Sequence, residues 1–170
     1  MKYIQHYSDQ IKQQVQKLIE QDKLSAYLLN KYPTAHEYST DKALYTYAID
    51  LKNSSMKKSP PLSKVLYDGR INVLNDALGQ HSFVSRVQGG KLKSKNEIKI
   101  ASMFRSVPEA FLRMIVVHEL AHFKEKAHNK TFYKLCEHME PQYHQLEFDL
   151  RLYLIHIEQF GKLYGSGRTR

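Results

Sequence analysis

Val116-Val117-His118-Glu119-Leu120-Ala121-His122 places two histidines four residues apart in an apolar run, with a glutamate directly after the first. Four residues advance an α-helix by about 400°, so the two imidazoles project from one face, a turn apart and offset by only about 40°. At that spacing two side chains grip one ion, and H-E-x-x-H on a helix is the layout of a zinc-hydrolase active helix. Glu119 lies about 100° round from His118. From there it reads as a general base that takes a proton from a metal-bound water, and not as a ligand. A lone histidine on an apolar face is ordinarily a core residue satisfied by a carbonyl; two at this spacing, with the glutamate between them, carry the metal reading instead.

The flanking residues extend the pattern in both directions. Ser106-Val107-Pro108-Glu109 has the form of a capping box, with Ser106 as N-cap, proline in the first turn and a helix starting near Val107. Phe111, Met114, Ile115, Val117 and Leu120 give that helix its apolar surface. A catalytic zinc ordinarily has three protein ligands and an open position, and His128 is the candidate for the third. On an uninterrupted helix it would lie about 9 Å beyond His122 and about 240° round, so the helix must end between them. In the extended form of this motif a glycine makes that turn; here Glu125 occupies the glycine's place. Asn129 is suited to capping a further helix from about Lys130 that carries Phe132, Leu135 and Cys136. Glu137, Glu140 and Glu147 stand as rival third ligands.

Around this centre the chain reads as α+β. Ile11, Val15, Leu18 and Ile19 share the face of a first helix opened by Ser8 or Asp9, residues 24–32 form a second, and Thr40 or Asp41 opens a third with Leu44, Tyr47, Ala48 and Leu51 on one side. The polar, proline-bearing stretch 53–61 is a loop. Residues 64–67 and 70–74 flank Asp68-Gly69, a two-residue hairpin signal, and 82–87 and 97–102 flank a looser turn at Gly89-Gly90. The expected sheet is therefore small and mostly antiparallel. Strand 97–102 has two readings: the rim of an active-site cleft, by analogy with zincins, or an ordinary internal strand. Helices at 132–139 and 145–157 close the fold; in the second, Asp149 and Arg151 read as a solvated edge. His138, His144 and His156 read as surface or packing residues, and Cys136 as a packed thiol.

With 170 residues and 42% hydrophobic content the chain can bury a core without disulfides, and its single cysteine permits none internally. One domain over residues 1–160 is expected, followed by a flexible basic tail at 161–170. A polar N-terminus and the absence of any apolar run near eighteen residues read as a soluble cytoplasmic protein with no membrane partner. Lysine and arginine exceed aspartate and glutamate by nine, and many of the extra cations fall between Lys57 and Arg113, ahead of the motif. Such a balance favours anionic ligands, and Arg86 and Arg105 are the candidate substrate-binding residues because guanidinium offers phosphate two donors at once. Scattered lysines also serve solubility alone. Twelve tyrosines leave nucleic-acid binding open, but no motif supports it.

The run 116–132, VVHELAHFKEKAHNKTF, followed by Met139-Glu140-Pro141 and a helix containing Tyr143, resembles the YgjP-like (DUF45) metal-dependent hydrolases, M48-like metallopeptidases related to the WLM and SprT groups of zincins. His118, Glu119, His122, His128 and Phe132 match that family's pattern position by position. At 85–90, Ser-Arg-Val-Gln-Gly-Gly stands where many members have Ser-Arg-Trp-Gly-Ser-Cys. The resemblance implies a single-domain zincin-like fold, ligation of one Zn²⁺ by the three histidines, and Glu119 as base. It also implies two activities, since the family is described both as peptidase-like and as phosphohydrolase (pyrophosphatase) on nucleoside triphosphates such as UTP. Three functions follow: a zinc metallopeptidase-like hydrolase, the leading expectation; a nucleotide phosphohydrolase; and a non-enzymatic zinc-stabilised binding module, disfavoured by Glu119.

Overall fold

The structure is a computed structural model that describes residues 1–74, 78 and 96–165. Among these residues are six α-helices and two strands: α1 (Asp9–Glu20), α2 (Leu24–Lys31), α3 (Asp41–Ser55), β1 (Lys64–Asp68), β2 (Glu97–Ala101), α4 (Glu109–Ala121), α5 (Lys130–Met139) and α6 (Tyr143–Phe160). Short 3₁₀ turns precede α1 and α4. The helix starts follow local chemistry. Ser8 Oγ accepts the Ile11 N–H, Thr40 Oγ1 that of Ala43 and Asn129 Oδ1 that of Phe132, so three helices carry side-chain caps. α1 ends in a Schellman-type turn, with Asp22 at φ 56° and the Lys23 N–H returning to the Leu18 carbonyl.

α4 is the axis of the molecule. Every residue from Met114 to Ala121 is buried, as expected of a helix covered on all sides. It packs on α6, α5, α3 and β2. The expected capping box is displaced: Pro108 is the N-cap, its carbonyl accepting from Phe111 and Leu112, and Ser106 closes the preceding 3₁₀ turn. Proline at 108 forces an extended backbone just before the helix, which moves the start two residues on. Glu109 accepts from the Tyr47 hydroxyl instead of reaching back to a cap.

The two strands pair in parallel, from Lys64 opposite Glu97 to Asp68 opposite Ala101, which corrects the expectation of a mostly antiparallel sheet. Val65, Tyr67, Ile98 and Ile100 are buried, as the alternation requires, while the partner of β1 and its direction differ from the expected hairpin. Residues 70–74 are not a strand. The Asp68 carboxylate accepts the Arg70 N–H at 2.9 Å and its guanidinium at 3.0 and 3.1 Å, and this side-chain turn takes the place of a hairpin. The chain then leaves the sheet, and a parallel pair requires such a crossover. The strand expected at 82–87 lies outside the described residues.

α6 also departs from expectation. Asp149 is fully buried and Arg151 is 4% exposed, so neither is a solvated edge. Asp149 accepts from the hydroxyls of Tyr27 and Tyr32, from Lys31 Nζ and from Gln145. Arg151 is bonded twice to Glu147, at 2.8 and 3.0 Å, and donates to the Tyr3 carbonyl. Residues 163 and 164, assigned to the tail by composition, pack against the core, Tyr164 being 7% exposed. Residues 166–170 lie outside the described set. No described helix is long and apolar enough to cross a membrane.

Replacing Asp149 should separate these effects. Asp149→Ala leaves two half-buried tyrosine hydroxyls without their acceptor and is expected to cost on the order of 2–4 kcal/mol in urea denaturation at unchanged slope. Lys31→Met removes only the exposed donor and should cost less than about 1 kcal/mol. Equal costs would show that the ion pair, and not the tyrosine acceptor, holds α2 to α6.

Candidate metal centre

His118 lies in the last turn of α4 and His122 is its C-cap, so the helix supplies both rings and ends at the second. The turn that follows needs no glycine. Phe123 and Lys124 donate back to the carbonyls of Leu120 and Ala121, tightening the last turn in right-handed geometry, and no residue from 123 to 128 has positive φ. Glu125, in the glycine's place, takes two roles: its carbonyl accepts from His122 Nδ1 at 2.9 Å, and its carboxylate accepts from Asn129 Nδ2 at 3.0 Å. Asn129 then caps α5. The loop so pinned returns His128 to the helix end.

The three Nε2 atoms converge. His118 and His122 are 3.2 Å apart, His122 and His128 3.1 Å, and His128 and His118 3.2 Å. His118 is buried and the other two rings are half-buried. A tetrahedral zinc with ligands at about 2.0–2.1 Å separates neighbouring nitrogens by about 3.3 Å, so the triangle fits a single ion. The hydrogen bonds fit as well. A carbonyl only accepts, so His122 must carry its proton on Nδ1 and present a lone pair at Nε2. His118 Nδ1 lies 2.7 Å from the Tyr143 hydroxyl. Among the described residues, this is the group of side chains placed to hold a metal.

Glu119 is 6% exposed and is not in the converging set, as the helical angle requires of a group beside the ligands. The rival carboxylates are engaged elsewhere: Glu137 with His144 at 2.7 Å, Glu140 with Arg113 at 2.7 Å, and Glu147 with Arg151. Arg105 donates to the Ser39 carbonyl at 2.7 Å, and its guanidinium lies 4.7 Å over the Tyr67 ring. Arg105 is exposed, and these contacts engage Nη1 and one face of its guanidinium. Arg86 lies outside the described residues.

Two aromatic rings enclose the cluster. Phe132, fully buried, has its ring centroid 5.0, 4.6 and 4.9 Å from those of His118, His122 and His128, so one side chain touches all three. Tyr143 stands behind His118, and burial together with nearby Glu147 holds its phenol well above its usual pKa, so it stays protonated. Cys136 is buried between α5 and α6, and desolvation pushes its thiol up to about 12. Nothing in the sequence marked Tyr143 as a partner of His118, because a contact across 25 residues leaves no spacing to read.

Comparison with known proteins adds two matches. A family described as "YgjP-like, metallopeptidase domain" matches residues 85–153, which include all three histidines, Glu119, Phe132 and Tyr143. A protein of Escherichia coli (strain K12) named "UTP pyrophosphatase" is 59% identical over 155 residues, covering 91% of this chain and 93% of that protein. No solved structure matches the chain significantly.

Cys136 gives a direct check on the packing behind the site. A thiol with a pKa of about 12 is only about one part in 10⁴ thiolate at pH 8, and this one is also out of reach of solvent. Reaction with a disulfide reagent should be absent in the native protein and complete after unfolding. Rapid native labelling would mean that α5 and α6 do not close over the histidines.

Proposed function

The chain belongs to the YgjP-like family, and from that premise and the three-histidine cluster we propose that it is a zinc-dependent hydrolase acting on nucleoside triphosphates, UTP first among them. The observation that carries the metal reading is the meeting of three Nε2 atoms within 3.2 Å beside a buried glutamate. The choice of substrate is supported by the extent of identity to the relative named for UTP and by a net charge of +9, which draws polyanions. The domain is taken as residues 1–160 and its fold as zincin-like, with α4 as the active helix.

In this reading His118, His122 and His128 hold the ion. Zinc bound there would act as a Lewis acid towards a phosphoryl oxygen and would lower the pKa of water towards neutrality. Glu119 takes the proton from the attacking water as its oxygen bonds to the α-phosphorus. The bond from that phosphorus to the bridging oxygen breaks, pyrophosphate leaves with the electron pair, and the nucleoside monophosphate remains. Phe132 keeps bulk water from the back of the cluster, and the Glu125 carbonyl holds the His122 ring in its required tautomer.

A peptidase reading keeps the same residues in the same roles and is supported by the description of the matching family as a metallopeptidase domain. The non-enzymatic reading is weaker, because a purely structural zinc closes with four protein ligands and the converging set among the described residues has three.

Zinc-loaded protein assayed in parallel on UTP, on the other nucleoside triphosphates and on an unfolded protein separates these readings. UTP is expected to give UMP and pyrophosphate, with Glu119→Gln retaining zinc and losing about 10²–10⁴-fold in turnover. His122→Ala and His128→Ala should lose the metal. Cleavage of the unfolded protein without nucleotide turnover would replace the proposal by the peptidase reading, and a fully active Glu119→Gln would remove the mechanism.

A further inference from the structure

Resting on the reading of the three histidines as metal ligands, we propose that Glu125 and Asn129 are positioning residues whose side-chain hydrogen bond holds the third ligand, His128, over the end of α4 before any metal binds. The residues between His122 and His128 include no glycine and no positive φ, so a left-handed turn does not set the reversal of the chain. A side-chain bond takes that part. The Glu125 N–H donates to the Ala121 carbonyl at 3.0 Å, which fixes residue 125 on the last turn of the helix. From there its carboxylate accepts from Asn129 Nδ2, also at 3.0 Å. The bond closes a loop of five residues, 125–129, in which the ligand is the fourth.

The direction of every bond in this clasp is decided by its partners. A backbone N–H only donates, so the Asn129 atom 2.8 Å from the Phe132 nitrogen is Oδ1. A carboxylate only accepts, so the atom facing Glu125 is Nδ2. The two requirements agree on one orientation of the amide. Capping α5 uses its oxygen alone and leaves its nitrogen for the carboxylate. Glu125 meanwhile engages His122 through its main chain, the carbonyl accepting from Nδ1 at 2.9 Å. One residue therefore fixes the ring of the second ligand and, through Asn129, the backbone beside the third. Asn129 is exposed and Glu125 half-buried, so the bond bears on the shape of the loop and little on the core. A ligand already in place is not ordered at the expense of binding energy, and that is where the clasp acts.

The test measures zinc affinity by competition with a chromophoric chelator, the visible spectrum of Co²⁺ bound in place of zinc, and the melting of metal-free protein. Glu125→Ala and Asn129→Ser should each bind zinc about 3–10-fold more weakly, the net worth of one hydrogen bond, and alter the Co²⁺ bands. Serine keeps a cap acceptor for α5, so metal-free Asn129→Ser should melt close to wild type. Glu125→Gln retains an acceptor for Asn129 and should restore near-wild-type affinity. The double variant Glu125→Ala/Asn129→Ser should bind no more weakly than either single one, because both remove the same bond. Wild-type affinity in both single variants, additive losses in the double, or a Glu125→Gln protein as weak as Glu125→Ala would overturn the inference. Wild type that binds neither zinc nor Co²⁺ would remove the metal reading itself and the clasp with it, a result read without any variant.

Discussion

Three imidazole nitrogens held within 3.2 Å of one another are the constraint on which the rest of the structure depends. A helix supplies two rings at no cost in geometry, but the third must come back towards the helix end, and the chain between has only five residues to do it. α4 therefore stops at Ala121, the next residues tighten into a 3₁₀-type turn, and Asn129 starts α5 at once. The ring of Phe132 then fills the space behind all three histidines. Turn, cap and wall are successive answers to one requirement, and each is made by residues within fifteen positions of His118.

The longer-range support comes from α6, whose first residue reaches His118 and whose middle carries buried charge. Glu147 and Arg151 neutralise one another inside the fold, and Arg151 ties the N-terminal 3₁₀ turn through the Tyr3 carbonyl. Asp149 gathers donors from α2. Buried ion pairs do not make a protein stable in themselves, because desolvation offsets much of their attraction. What they supply is uniqueness of placement: α6 can satisfy these groups in one rotation and one axial position, and that position sets Tyr143 against the active helix.

The features legible in the sequence are those whose causes are local. Ser8, Thr40 and Asn129 announce helix starts because a cap acts on residues two or three positions away. The histidine pair is legible for the same reason, and His128 follows from ligand number and spacing. Asp68-Gly69 misled because its hairpin geometry competes with a side-chain turn to Arg70, and only the tertiary environment chooses between them. Arg151 looked solvated because an i, i+4 pair such as that with Glu147 has the same spacing on a buried helix as on an exposed one, and Asp149 because its partners Tyr27, Lys31 and Tyr32 lie more than a hundred residues away. The contact of Tyr143 with His118 and the engagement of Arg105 with Ser39 and Tyr67 depend on elements far apart in the chain, and no periodicity encodes them.

The field at the site bears on the choice of substrate. His118 and His122 lie at the C-terminal end of α4, where the backbone carbonyls concentrate a partial negative charge. That end favours a cation, which suits a metal, and by the same sign it repels a polyphosphate. In the proposed reading an anionic substrate must then be drawn by positive charge supplied from elsewhere in the chain. A peptide would need no such compensation. In the proposed reading the net charge of +9 supplies that compensation, in addition to serving solubility. With a neutral substrate, the ion held by the histidines would already balance the helix end.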